Sequence, residues 1–263
     1  MDNQLNLLNL GNIHLFETSI FHQIDIVSII YNFLNNRDGV HLLSISKYIY
    51  YNSTHIRYLK LNRKGSKLYY EHESFRMHMK TLINNTKMQL NLNLYDYSDI
   101  RDVTVLKDIH TINLRYCKHV EDVGALCNST YLILDHTRVK CIKDLKNVTS
   151  LSLMFCDKLI NINELMSTNS NLNYLDLSYC DINDVSALGN IHTLILKGCE
   201  NITNVSNLIN VSYLDLSECI NIADISALKN VYNLNLTACQ SIRSVDMLTN
   251  VSILNLNQCY NIK

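Results

Sequence analysis

The sequence predicts an α/β-type repeat, a solenoid with a parallel sheet on its concave face, preceded by a small helical domain. Three observations predict it. Cysteines recur at 117, 156, 180, 199, 219, 239 and 259, with a step of twenty near the C-terminus. Paired leucines keep the same step, their second members at 94, 114, 134, 153, 177, 196, 216, 236 and 256. The first sixty residues break this period and carry a helical one.

Each column of the repeat has a physical reading. The segments align as LxLxxCxxIxDIxxLxNV over residues 90–263 in nine turns, the last incomplete, with one step of 24 between Leu153 and Leu177. In LxL both leucines point to one face of a short strand, so parallel stacking of successive strands buries them inside the coil. The later Ile, Ile/Val and Leu fill the interior from the returning side. One turn alone cannot repay its own ordering entropy, whereas a stack shares its core. The cysteine follows the strand, where a small apolar filler with a weak donor suits a buried carbonyl; Tyr97 and Thr137 stand there in two turns. Asn128, Asn147, Asn171, Asn190, Asn210, Asn230 and Asn250, with Asp108, form a second column. Asp102, Asp122, Asp184 and Asp224, with Asn161, Asn204 and Ser244, form a third. Such residues satisfy turn backbone, so no catalytic acid is assigned to them.

This nine-fold pattern resembles the leucine-rich-repeat family. The resemblance implies that outward positions beside LxL line a concave, ligand-holding face. There Tyr131, Tyr174 and Tyr213 stand with Asp135, Asp176 and Asp215, and Lys197 lies nearby. Tyrosines beside carboxylates suit a protein substrate, and β-formers packing across strands give the same pattern.

Before the repeats, Ile26, Ile29, Ile30, Phe33 and Leu34 precede the polar break NNRDG, and Val40, Leu42, Leu43 and Ile45 follow it. The spacing predicts two or three short helices over residues 1–60. Asp25, Ile26, Ile30, Phe33, Leu34, Asp38, Leu42, Ile45, Ser46 and Lys47 resemble the F-box. Gln23 stands where that motif has proline, Gly39 replaces an aliphatic residue, and no tryptophan follows. The chain has no Pro or Trp anywhere. With a composition rich in Asn, Ile, Lys and Tyr, the whole is similar to F-box/leucine-rich-repeat proteins of large DNA viruses of protists. The resemblance implies a substrate receptor of a cullin-RING ubiquitin ligase. Ile26, Ile30, Phe33, Leu34, Leu42 and Ile45 would dock the Skp-type adaptor, and Tyr131, Asp135, Tyr174, Asp176, Lys197, Tyr213 and Asp215 would hold the substrate. The rival reading is a binding scaffold whose N-terminal helices only cap the solenoid. Residues 61–89, with six Lys/Arg against two Asp/Glu, are expected to be a basic linker or capping helix.

Composition excludes much else. A net charge of −1 gives no pull toward nucleic acid or anionic membrane. The N-terminus lacks the pattern of an export signal, and no apolar run could span a bilayer, so a soluble cytoplasmic protein is expected, in the host cytoplasm if viral. Nine cysteines are then expected as free thiols, and with no CxxC pair no metal, cofactor or catalytic residue is assigned. The last turn stops at Lys263, so Leu254, Leu256 and Ile262 are expected to face solvent, with dimerisation through that end as one form of relief.

Overall fold

The structure, a computed structural model, describes residues 58–263. The F-box resemblance, with Ile26, Ile30, Phe33, Leu34, Leu42 and Ile45, lies outside the described residues.

Ten short strands form one parallel sheet in strict sequence order. They are β1 (Tyr58–Lys60), β2 (Gln89–Asn93), β3 (Thr111–Asn113), β4 (Tyr131–Ile133), β5 (Ser150–Ser152), β6 (Tyr174–Asp176), β7 (Thr193–Ile195), β8 (Tyr213–Asp215), β9 (Asn233–Asn235) and β10 (Ile253–Asn255). From β3 onward the middle residue of each strand is the first leucine of LxL or, in β3, Ile112, which pairs with Leu92 of β2. Leu132, Leu151, Leu175, Leu194, Leu214 and Leu234 lie in register and are 0–1% exposed. Sequence periodicity thus becomes a continuous core along the coil axis, each layer touching only its neighbours.

The sheet begins one strand earlier than the nine-turn repeat. Leu59 and Leu61 supply an LxL of their own, both fully buried, and Tyr58–Lys60 pairs with Gln89–Asn91. The return from β1 to β2 contains two helices, α1 (Arg63–Glu71) and α2 (Glu73–Thr86), so the expected capping helix is a pair lying between the first two strands. Asn62 starts α1, its side-chain oxygen accepting the Gly65 amide at 3.0 Å. Tyr69 from α1 and Phe75, Met79 and Leu82 from α2 are buried in the common core. Ser66 clips the helix to the sheet: its Oγ accepts the Asn93 amide at 2.8 Å and donates to the Leu61 carbonyl at 3.3 Å.

The returns of later turns are tight. Asp102, Asp122, Asp184, Asn204 and Asp224 each accept the amide two residues on, at 2.8–2.9 Å, which confirms the turn reading of that column. The long step of 24 is accommodated by a short helix, α3 (Asn163–Thr168). Here the asparagine column departs from the alignment. Asn169, not Asn171, is the buried residue, and its amide donates to the carbonyls of Leu145 and Val148 at 2.8 and 2.7 Å. Elsewhere the column forms side-chain links between turns, as in Asn128 to Asp108 (2.9 Å), Asn210 to Asn190 (3.1 Å) and Asn250 to Asn230 (2.9 Å). In the last turn Ile253 and Leu254 are exposed, and Leu256 and Ile262 are partly buried.

The cysteine column makes one contact repeatedly. Each thiol donates to the carbonyl of the second leucine of the preceding turn: Cys117 to Leu94, Cys156 to Leu134, Cys180 to Leu153, Cys199 to Leu177, Cys219 to Leu196, Cys239 to Leu216 and Cys259 to Leu236, at 2.8–3.2 Å. Each of these carbonyls also accepts the backbone amide three residues on in its own turn, as Leu216 does from Cys219 at 3.1 Å, so the thiol fills the second acceptor site of a buried oxygen and ties adjacent turns together. Two substitutions differ from expectation. Thr137 donates to the carbonyl of its own turn, Leu134, at 2.6 Å, and the Tyr97 hydroxyl is too far out on its ring, donating instead to the Glu71 carboxylate. All nine cysteines are free. Burial pushes the thiols of Cys117 and Cys156 up to about 11 and those of Cys199 and Cys239 up to about 12, so they remain protonated and poorly nucleophilic at neutral pH.

Candidate functional site

Two adjoining surfaces carry the exposed chemistry, the open face of the sheet and the edge where the strands end. On the open face, the first residue of each strand forms the row Thr111, Tyr131, Ser150, Tyr174, Thr193, Tyr213, Asn233, Ile253. Tyr131 is 45% exposed and tilts against His110 at 5.3 Å between ring centres; His110 in turn meets Tyr58 at 5.4 Å. Tyr174 and Tyr213 are half-buried, with the shorter Thr193 between them, and burial pushes the Tyr174 hydroxyl up to about 12.

The acidic residues expected beside these tyrosines occupy three different environments. Asp135 is only 3% exposed. Its Oδ1 accepts the Ser152 hydroxyl and the Met154 amide, and its Oδ2 lies 3.6 Å from Arg115 Nε. Asp176 is 6% exposed, and its Oδ1 accepts both the amide (2.9 Å) and the hydroxyl (2.6 Å) of Ser178. Burial raises its pKa, against the lowering effect of those hydrogen bonds; Asp135 and Asp215 push in the same direction as burial. Asp215 is half-buried, accepting the Ser217 amide at 2.8 Å and the Asn235 side-chain amide at 3.0 Å. Lys197 turns away from the row to pair with Glu218 at 3.0 Å.

The strand-exit edge holds the feature that sequence reasoning missed. In each turn from β2 on, the second residue after LxL has positive φ: Asp96, Tyr116, His136, Phe155, Tyr179, Gly198, Glu218, Ala238 and Gln258. The conformation turns each amide onto the next turn, as from Tyr116 to the Asp135 carbonyl (2.9 Å) and from Phe155 to Ser178 (2.9 Å). It costs an L-residue about 1–2 kcal/mol. Yet four successive turns place a ring there. Tyr116 stacks on His136 at 4.3 Å, His136 on Phe155 at 4.5 Å and Phe155 on Tyr179 at 4.6 Å, with interplanar angles of 10–15°. Stacked rings contribute about 0.5–1.5 kcal/mol per pair beyond area burial, which offsets the conformational cost. Tyr95 closes one end edge-on, 5.5 Å from Tyr116. At the other end Tyr179 covers Gly198, where a Cβ would lie 2.4 Å from the ring, and its hydroxyl donates to Glu218 at 3.0 Å. Ring edges remain in solvent, with Phe155 41% and Tyr95 38% exposed. The signal in the sequence was an aromatic residue just before the cysteine column in four consecutive turns: Tyr116, His136, Phe155 and Tyr179.

Among the described residues no group of His, Cys, Asp and Glu could hold a metal ion, and no helix is long and apolar enough to cross a membrane. No protein-family model matches the sequence, and no curated protein matches it. Solved structures do match in fold. An internalin, InlF, from Listeria monocytogenes aligns with 24% identity and a TM-score of 0.55 over 68% of this chain and 57% of that one. Internalin C2 from the same organism aligns with 21% identity and a TM-score of 0.52 over 67% of this chain and 83% of that one. At such identities the likeness speaks to architecture alone. Together with the ten-stranded parallel sheet and its stacked LxL layers, it makes the fold a leucine-rich-repeat solenoid.

Proposed function

We propose that the chain is a non-enzymatic protein-binding scaffold that holds its partner on the open sheet face and the adjoining aromatic edge. The observation that carries this reading is the run of four stacked rings along the strand-exit edge, with exposed Tyr131 on the sheet face. Aromatic side chains with fixed rotamers offer large contact area at little entropic cost, which suits a protein surface. A net charge of −1 favours a protein partner over nucleic acid or an anionic membrane. The free thiols fit a reducing cytoplasm. The narrower reading, a ubiquitin-ligase substrate receptor, is supported by the F-box resemblance of residues 19–58.

The test uses the full chain as bait for partner proteins. Tyr174→Ala combined with Tyr213→Ala is expected to weaken partner binding by about 2 kcal/mol, roughly 30-fold, without loss of folding. Undiminished binding by the double variant would move the site off this face. Under the receptor reading, removing residues 1–57 abolishes capture of the Skp-type adaptor and leaves partner binding in place; adaptor capture that persists would end that reading.

A further inference from the structure

Charge is not spread evenly along the coil. Residues 58–158 carry sixteen Lys/Arg against eleven Asp/Glu, whereas residues 159–263 carry four against nine. Most of the ring stack lies in the basic half, and cations gather on it. Arg115 lies 5.3 Å from the Tyr116 ring centre, and its Nε is buried with no hydrogen-bond partner, Asp135 Oδ2 standing 3.6 Å away. Lys118 and Arg138, two residues beyond Tyr116 and His136 in successive turns, are exposed and form no ion pair among the described residues. Burial, then Arg115, lower the His136 pKa, with Asp135 opposing them and Lys118 adding to them, so both cations act on the same ring. The neighbouring carboxylates have partners of their own. Asp96 pairs with Arg63 at 3.7 Å, Asp157 with Lys158 at 3.3 Å, and Glu121, which also feels Arg138, with Lys140 at 2.6 Å. Asp99, in the turn before, accepts the Ser98 hydroxyl at 3.4 Å, and Asp135 is 3% exposed.

The stack itself favours negative charge. An aromatic ring is electron-rich on its faces and electron-poor at its edge. In Tyr116, His136, Phe155 and Tyr179 the faces are turned on one another, while Tyr95 closes one end and Tyr179 covers Gly198 at the other. What solvent meets is a row of electron-poor edges flanked by cations. We propose that the strand-exit edge formed by Tyr116, His136 and Phe155 with Arg115, Lys118 and Arg138 docks an acidic segment of a protein partner, its Asp and Glu carboxylates meeting the ring edges and the cations. Arg115 offers donors in a fork that suits a carboxylate. Lys118 and Arg138 stand about one strand spacing apart, roughly 5 Å, so neighbouring carboxylates of one segment can reach both. A nucleic acid fits this edge less well. Its bases need ring faces to stack on, and the acidic half of the coil repels a long polyanion. The inference rests on the scaffold reading and adds the charge of the segment recognised.

The experiment follows amide resonances of the full chain in solution while a blocked hexaglutamate peptide is added, with blocked hexaglutamine and a thymidine hexanucleotide as controls. Hexaglutamine keeps the length without the charge. Hexaglutamate is expected to give saturable shifts at Tyr116, His136 and Phe155, with binding at least about tenfold weaker for either control. Lys118→Gln combined with Arg138→Gln removes two exposed charges, so the melting temperature should hold while hexaglutamate binding falls by about tenfold. Lys143→Gln combined with Lys146→Gln makes the same change of net charge on the returning side between β4 and β5, and binding should stay within about twofold. Absence of saturable shifts, equal binding of hexaglutamine, tighter binding of the hexanucleotide, or equal losses in the two double variants would each overturn the proposal. Self-association in light scattering that Lys118→Gln with Arg138→Gln abolishes would also overturn it, giving the edge to the acidic half of a second copy. Protein-partner capture that survives Lys118→Gln with Arg138→Gln would remove the acidic segment and leave the scaffold reading standing.

Discussion

Gly189→Ala is expected to lower the melting temperature by about 6–12 °C, corresponding to roughly 3 kcal/mol. Gly189 sits on the return side of the turn that follows β6, packed against the next turn. A Cβ built there would lie 2.0 Å from the carbonyl oxygen of Asn207 and 3.1 Å from its carbonyl carbon. The obstacle is backbone, so no rotamer change relieves it. Only separation of the two turns does, and that loosens Leu188 and Leu208, both fully buried. The gain from restricting the unfolded chain, about 0.4–1 kcal/mol, has the opposite sign and is too small to compensate. Ala187→Gly is a fitting control, since its side chain is not part of that contact. A thermal melt or urea titration reads the difference, and an unchanged midpoint for Gly189→Ala would mean that the turns are not packed as described.

Leu214→Ala is expected to cost about 2–5 kcal/mol, the range for emptying a buried leucine site. Leu214 is fully buried in β8, in register with Leu194 of β7 and Leu234 of β9. Because turns touch only their neighbours, the cavity weakens two interfaces and leaves the others intact. Unfolding should then separate into two steps, with β9 and β10 lost before the turns closer to α1 and α2. Exchange of backbone amides reads this directly: Asn235 and Asn255 should exchange earlier than Asn113 in the variant. A single, unshifted transition would contradict the nearest-neighbour account.

How much was legible in the sequence follows from how often each contact repeats. The leucine, cysteine and Asp/Asn columns could be read because the same environment recurs every turn and selects the same side chain. Cys219 and Cys239, for example, meet the same kind of carbonyl twenty residues apart. The first turn was not read because 31 residues separate Tyr58 from its register partner Gln89, so Leu59 and Leu61 fall outside the period. The aromatic edge escaped for a different reason. Backbone pairing fixes the left-handed conformation there and leaves the side chain free, so Gly198 and Glu218 occupy the same position as Tyr179. Asp135 and Asp176 look outward by alternation, yet neighbouring hydroxyls and amides fold over them. Alternation gives the direction of a side chain at the backbone; it does not give what closes above it.

The central claim is that the open face and aromatic edge hold the partner. Hydroxyl-radical footprinting of the full chain, alone and saturated with a captured partner, tests it most directly, because it reports side-chain exposure residue by residue. Tyr131 and Phe155 are 45% and 41% exposed on the claimed surface, while Ile209, on the returning side of its turn, is 49% exposed. The account predicts that the partner strongly protects Tyr131, Phe155, Tyr174 and Tyr213 and leaves Ile209 as reactive as before. Protection of Ile209 with undiminished oxidation of Tyr174 and Tyr213 would contradict it.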